Sequence, residues 1–356
     1  MKNRIMKKEK ILIFNISTDS NNTSLGFAIN WLNQLSEYYT EIDVVTLNKG
    51  ATHILNDNIN VYSHDSVNAN RITKFIALRK IIKNLLKNNE YRYCLSHMTT
   101  SLTLVSSSIF RFQNLQSILW YTHKGPTTFI KKIVLYLGAL FSDNIVTATE
   151  NSFPLKFKKV TSIGHAINYE DFYRSRINTG SKDFLILSRI SKSKNIEESI
   201  QGFLNSVYGE SQSITIVGGP LTKQDADYEI YLKNKFSKYP NIRFVGSIPH
   251  PELSTYIDKT GFHINNTPKG FYDKSVLETL SSGIINFYMN SEYDKNIHPE
   301  YINILKFDGT KNALTESINL ISELEKNVLI EIIQFSQEKV KEESLKTLHD
   351  RILKVI

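Results

Sequence analysis

Short runs of consecutive apolar residues alternate with longer stretches whose apolar positions recur every three or four residues, along nearly the whole chain. ILIFNIS (11–17) reads as a buried strand, followed by a helix over about 25–38 and a strand at IDVVTL (42–47). Further strands are predicted at YRYCLSH (91–97), SILWYTH (117–123), NIVTAT (144–149) and KKVTSIG (158–164). After Ile167 the text turns polar and irregular, YEDFYRSRINTGSKD, which is the best linker candidate. The alternation then restarts with FLILSR (184–189), ITIVGG (214–219), IRFVG (242–246), FHINN (262–266), IINFY (284–288) and INILKF (302–307). Helical patterns at 195–208, 222–238 and 274–282 separate these strands, and about 311–354 reads as helix throughout. No internal repeat or low-complexity tract interrupts the series.

Strands interleaved with helices imply right-handed crossovers and parallel sheets covered by helices on both faces. Two such sets on either side of a linker predict an α/β chain of two Rossmann-like, doubly wound domains facing a cleft. The expected bounds are 1–172 and 173–330, with 331–356 as a C-terminal helix able to pack back on the N-terminal domain. Ligands of such sheets bind beyond the carboxyl ends of the strands, so the loops after each strand matter most.

Composition narrows the class. The chain has 356 residues, 41% hydrophobic and 22% charged, which excludes long disorder and collagen-like repeats. A single cysteine, Cys94, excludes an intrachain disulfide and a cysteine-rich metal site, and fits a reducing compartment. Lysine and arginine exceed aspartate and glutamate by 43 − 35 = +8, pointing to acidic partners such as phosphates or an anionic membrane. The basic residues are spread out and no nucleic-acid recognition motif occurs, so nucleic acid is not an expected partner. The longest apolar run, Ile133 to Phe141, is far short of the roughly 20 residues a bilayer core requires. The basic start MKNRIMKKEK is followed only by the apolar Ile11 to Phe14, too short for a signal peptide, and a cytoplasmic location is expected.

Two loops carry candidate chemistry. Ser188-Arg189-Ile190-Ser191-Lys192-Ser193-Lys194-Asn195 leaves the strand FLIL. A forked guanidinium, an ammonium and a helix amino terminus suit a diphosphate, although a solvated basic loop has the same composition. Asn266 to Glu278, NTPKGFYDKSVLE, also follows a strand and enters a helix. Gly270 permits close backbone approach, and amides at the helix start can bind an anion. Glu278 stands one turn from Lys274 and could simply form an i,i+4 pair with it.

Together with their neighbours these stretches resemble the family 4 retaining glycosyltransferases, nucleotide-sugar-dependent enzymes of the two-domain GT-B fold. SRISKSKN resembles the Gly-Arg-Leu-x-x-x-Lys-Gly/Asn signature, and ITIVGGP a strand ending in a Gly-rich turn. FVGSIPHPEL resembles Phe-x-Gly-x-x-x-x-x-x-Leu, and GFYDKSVLETLSSG the family's Gly-Ser-Phe-Asp-Lys-Val-Val-Leu-Glu-Ala-Met-Ala-x-Gly variant. In the first half, LWYTHKG matches a strand ending in a histidine, and IGHAINYEDF resembles the interdomain Asn/His-Gly-Ile-Asp-x-x-x-Phe. The matches occur in the family's order over about 11–320 and are strongest in the second domain.

The resemblance implies roles. Arg189 and Lys194 would neutralise the donor's diphosphate as it leaves, and Glu278 would hold the ribose hydroxyls. Backbone near Val245 and Gly246 would border the base. Amides at Phe271, Tyr272 and Asp273 would cradle sugar and phosphate, with Gly270, Asp273 and Lys274 lining the donor side. His123 would face the sugar from the first domain, and Gly26 would lie in the first strand-to-helix loop. No metal or other cofactor is implied; the nucleoside-diphosphate sugar is a co-substrate. The implied activity is hexosyl transfer with retention, onto a cell-envelope glycan or lipid-linked acceptor. Retention by attack on the face the diphosphate leaves needs no carboxylate nucleophile, and no pair of the glycosidase kind stands out.

Departures from the pattern are specific. Gly270 stands where many members have the first of two glutamates eight positions apart, so sugar identity does not carry over. Ser188 replaces a glycine before the arginine, Ala166-Ile167-Asn168 replaces Gly-Ile-Asp, and the double-glycine loop is reduced to Ser24-Leu25-Gly26. Two other readings keep the fold: a nucleotide-sugar epimerase, and a catalytically silent nucleotide-sugar-binding protein.

His97 reads as a cleft residue or equally as a hydrogen-bonded structural one, His165 sits in the hinge turn and reads as structural rather than catalytic, and His53, His64 and His250 show no ligand spacing. Residues 71–87 hold six basic residues and no acidic one, with Leu78, Ile81, Ile82 and Leu85 on one helical face. Either that face packs on the core beneath a basic back, or it rests on anionic lipid, gaining about 1 kcal/mol per basic residue. FIKKIVLYLGALF (129–141) adds a second basic and apolar element. The two favour a peripheral position on the inner face of the cell membrane.

Overall fold

The computed structural model describes residues 9–22, 25–64, 70–122, 125–126, 128–175 and 180–356. Two compact units result: Met1–Ala166 with Leu345–Ile356, and Ile167–Ser344. The division falls between Ala166 and Ile167, six residues before the end of the predicted first domain, because Phe172 packs with Leu185, Leu187 and Val217 of the second unit.

The first unit holds β1 (Lys10–Thr18), β2 (Glu41–Lys49), β3 (Ile59–Tyr62), β4 (Tyr91–His97), β5 (Ser117–Trp120), β6 (Asn144–Thr147) and β7 (Val160–Ser162). They form one parallel sheet in the order β3-β2-β1-β4-β5-β6-β7. Side chains alternate across it, as the period of two requires. Ile11 and Ile13 face Trp31, Leu32 and Leu35 of helix Ala28–Ser36, together with Leu348 and Ile352 of helix Leu348–Leu353. Leu12 and Phe14 face Leu78, Ile82 and Leu86 of helix Arg71–Asn88, and Leu102 and Phe110 of helix Thr100–Gln113.

The second unit holds β8 (Phe184–Leu187), β9 (Ile214–Val217), β10 (Ile242–Gly246), β11 (Phe262–Asn265) and β12 (Ile285–Tyr288). These are parallel in the order β10-β9-β8-β11-β12, the same winding as the first sheet. One face is aromatic: the Phe184 ring lies 4.9 Å from Phe262 and 5.0 Å from Phe203 of helix Ile196–Leu204. Leu185 and Leu187 face the other way, onto Leu253, Ile257 and Ile284.

Three sequence expectations change. INILKF (302–307) is not a strand; Ile302–Leu305 is one helical turn entered through the 3-10 turn Pro299–Tyr301, and Lys306 touches the sheet by a single bridge to Tyr288. Residues 311–354 are not one helix but Lys311–Ser322, Lys326–Lys341 and Leu348–Leu353. Of these, only the last belongs to the first unit, while Gln337 donates to the Ser281 carbonyl of the second at 3.0 Å. β3, at the edge of its sheet, was not foreseen from the pattern.

Candidate functional site

The predicted donor residues gather at the carboxyl ends of β8, β9, β10 and β11 in the second unit. Gly218 makes this possible. Its φ is +136°, and a Cβ there would lie 1.9 Å from the Ser188 carbonyl oxygen, so only glycine lets the turns after β8 and β9 close on each other. The Ile190 amide then donates to the Gly219 carbonyl at 3.0 Å. Asn195, in the left-handed region at φ 45°, ends the turn Lys192–Lys194 and starts helix Ile196–Leu204. Its side-chain amide donates to the Asn266 carbonyl at 3.2 Å, tying the loop after β8 to the loop after β11.

The two cations differ sharply in setting. Lys194 is 5% exposed, and its ammonium donates to both oxygens of Asp273 at 2.7 Å. The Phe271 ring centre lies 5.4 Å from the same Nζ. Asp273 also accepts from Asn265 Nδ2 and from Thr267 Oγ1, each at 3.0 Å. Burial alone would raise the Asp273 carboxyl; the Lys194 charge and these hydrogen bonds outweigh it and hold the acid below the usual carboxylate range. Arg189, by contrast, is exposed, and its guanidinium has no hydrogen-bond or ion-pair partner among the described residues. Its donors therefore remain available to a ligand, as do those of the exposed Lys192 and Lys269, neither of which has a side-chain hydrogen-bond or ion-pair partner among the described residues.

The loop Gly270–Asp273 is braced from the segment after β12. The Gly270 amide donates to Glu292 Oε2 at 3.0 Å, and Asn290 Nδ2 to the Phe271 carbonyl at 2.8 Å. The Phe271 amide donates to Pro268, and the Asp273 amide to Tyr293 Oη at 2.5 Å. Two of the amides expected to cradle the donor are thus satisfied within the chain. Tyr272 is buried, its hydroxyl donating to Glu343 Oε1 at 2.6 Å.

Glu278 lies on helix Lys274–Ser281 and is 6% exposed. Its Oε1 is 3.0 Å from His250 Nε2, in the loop after β10, the strand that ends in Val245 and Gly246. The His250 ring stands edge-on to Phe172 at 5.4 Å. The hydrogen bond to Glu278 raises the His250 pKa; burial and the Lys274 charge work against it, and the Glu278 and Asp171 charges with it. Lys274, half-buried one turn before Glu278, is pulled down to about 8 by burial, opposed by the Glu278 charge.

His250 had shown no ligand spacing because its partner is 28 positions away on another element. The available signal was its place in the loop after a predicted strand. A folded-state pKa above the unfolded value means the pair's stabilisation is full below the ordinary histidine pKa and is lost as pH rises through the elevated one. The expected result is a melting temperature that declines as pH rises from about 6.5, by an amount within the roughly 1 kcal/mol of solvent-exposed pairs. His250→Gln should flatten that decline, which thermal melts at stepped pH will show.

In the first unit, Gly26 sits in the turn after β1, its amide donating to the Asn22 carbonyl at 2.8 Å. His123 and Ser24 lie outside the described residues. His97 is buried, with Nδ1 3.0 Å from Asn15 Oδ1 and its ring 5.2 Å from Trp31 and 5.1 Å from Trp120, which is the hydrogen-bonded structural reading.

No family model and no curated protein matches the chain. Solved structures do. HepE of Anabaena, in complex with UDP and glucose, superposes with a TM-score of 0.72 at 14% identity over 97% of this chain and 98% of its own. Sucrose-phosphate synthase of Thermosynechococcus elongatus gives 0.71 at 13% identity over 98% of both chains. The fold is GT-B. A third GT-B neighbour, the lipopolysaccharide outer core galactosyltransferase WaaB, gives 0.63 at 11% identity over 98% of this chain and 100% of its own. The cluster from Arg189 to Glu278 lies in the second of the two parallel sheets of this GT-B chain.

Proposed function

We propose that this chain is a retaining glycosyltransferase that moves a hexose-type sugar from a nucleoside-diphosphate sugar to a cell-envelope glycan or a lipid-linked acceptor. The observation that carries it is the exposed guanidinium of Arg189, without a hydrogen-bond or ion-pair partner among the described residues, at the carboxyl edge of a GT-B second sheet. Five positions on, Lys194 forms the buried pair with Asp273. As the bond between sugar and diphosphate lengthens, negative charge grows on the leaving phosphate. A forked cation stabilises that charge more than it stabilises the bound donor, and this differential accelerates the step. Glu278, oriented by His250, holds the ribose, and Val245 and Gly246 border the base. The reaction needs no metal in this reading.

The UDP and glucose held by HepE support a nucleotide-sugar donor, and the lipopolysaccharide outer core galactosyltransferase WaaB supports an envelope glycan as acceptor. In this reading the chain acts in the cytoplasm, at the inner face of the cell membrane. Thermal melts with UDP-, GDP- and ADP-sugars should show one nucleotide class raising the melting temperature, and that donor should then support transfer with its anomeric configuration kept. Inverted product overturns retention, isomerisation of the sugar without acceptor indicates an epimerase, and stabilisation with no turnover indicates a silent binder. No stabilisation by any of the three classes overturns the donor assignment.

A further inference from the structure

Helix Phe129–Phe141 turns the wrong way for a crossover helix of a self-sufficient unit. Its sheet side is small: Leu135, Gly138 and Ala139 are buried, and a Cβ on Gly138 would lie 2.8 Å from the Thr100 carbonyl oxygen. Its large apolar side chains face outward. Phe129 is 76% exposed, Ile130 75%, Ile133 42%, Tyr136 49% and Leu140 47%. Phe129, Ile133, Tyr136 and Leu140 follow the i, i+4, i+7, i+11 spacing of a single stripe, about 17 Å long at 1.5 Å per residue. Helix Thr100–Gln113 lengthens the stripe at one end, where the Arg111 guanidinium lies 5.8 Å over the Phe141 ring and Phe112 is 92% exposed.

The three helices on this side of the sheet carry basic residues and no acidic one. Lys131 and Lys132 are exposed on helix Phe129–Phe141, which carries no acidic residue. Helix Arg71–Asn88, two crossovers earlier on the same face of the sheet, has none either and exposes Lys80, Lys83 and Lys87. Its apolar face, by contrast, is spent on the core: Leu78 and Ile82 are buried, with Ile81 and Leu85 packed against that cluster. The core-facing reading of 71–87 thus holds for that face; Ile72 and Ile76, 73% and 65% exposed, are the outward apolar positions near its start, and the longer outward stripe belongs to 129–141.

We propose that the outward stripe of helix Phe129–Phe141 lies in the interface of an anionic bilayer, with its aromatic and aliphatic side chains among the acyl ends and its lysines at the phosphates. Exposed apolar area of this continuity is what an interfacial helix buries, and lysine stems reach back to the headgroups. A second copy of the chain would bring the same basic, acid-free helices together, so like charge opposes self-association. Among the described residues no helix is long and apolar enough to cross a membrane, so the helix lies on the bilayer. This deepens the membrane location proposed above and stands independently of sugar transfer.

Flotation with vesicles of phosphatidylcholine and phosphatidylglycerol, without nucleotide or acceptor, tests it. The wild-type chain should float with the anionic vesicles, less as salt rises, and only weakly with phosphatidylcholine alone. Ile130→Ser with Leu140→Ser, at positions that leave the core untouched, should lower partitioning about tenfold or more. Lys131→Gln with Lys132→Gln should remove most of the preference for anionic lipid. Wild-type protein that stays with the soluble fraction overturns the proposal, as does undiminished flotation of the serine variant. Sedimentation as a dimer that the serine variant dissolves also overturns it, by making the occupant a second copy. Loss of transfer activity with flotation intact would fault the transferase reading alone.

Discussion

Replacing Arg189 with alanine is expected to lower turnover about 10²-fold, the loss typical of removing one donor that stabilises transition-state charge. The melting temperature should stay within the change produced by about 0.5 kcal/mol, because the side chain is exposed and touches no partner among the described residues. Activity and stability are thereby separated at one position. Arg189→Lys keeps the charge but loses the fork, so it should recover only part of the rate. The donor's KM should move less than kcat, since the interaction strengthens as the diphosphate leaves. Initial rates with the donor that stabilises the chain will decide this, and a wild-type rate for Arg189→Ala would remove the residue from the mechanism.

What the sequence disclosed depended on how local each signal was. Parallel strands buried on both faces leave uninterrupted apolar runs, so ILIF, FLIL and ITIV marked β1, β8 and β9 without help from any other segment. INVY of β3 is short and flanked by polar residues, and at the sheet edge it is only half covered, so nothing in its pattern stood out. INILKF offered a plausible alternation, but Pro299 opens a helical turn just before it and tertiary contact leaves a single bridge. Leu348 and Ile352 read as helix wherever they pack; that they cover β1 of the first unit is a long-range fact.

The site divides in the same way. That Arg189, Lys194 and Glu278 follow strands was legible, and strand ends of a doubly wound sheet are where ligands bind. The partners were not. Lys194 and Asp273 are 79 positions apart, and His250 and Glu278 are 28 apart. Lys194 read as a free cation and Asp273 as a backbone donor because pairing across loops leaves no period in the sequence.

That pairing makes Lys194 the position with the largest combined effect. Lys194→Met leaves the Asp273 carboxylate without its cation in a largely enclosed site, where breaking one side of a buried pair costs roughly 3–5 kcal/mol. Asp273 keeps its hydrogen bonds from Asn265 and Thr267 and is 22% exposed, so about 3 kcal/mol is expected. The wild-type pair stabilises fully above the ordinary carboxylate pKa, and its contribution is lost as pH falls through the depressed value of Asp273. The deficit of Lys194→Met should therefore shrink toward acid pH. Adding Asp273→Asn should return most of the lost stability, since no unpaired charge is then left enclosed. Turnover of the double variant should nonetheless remain about 10²-fold down if the ammonium also meets the leaving diphosphate. Chemical denaturation and initial rates on the three variants separate the two roles: a double variant both stable and fully active would make Lys194 a structural residue and leave the charge stabilisation to Arg189.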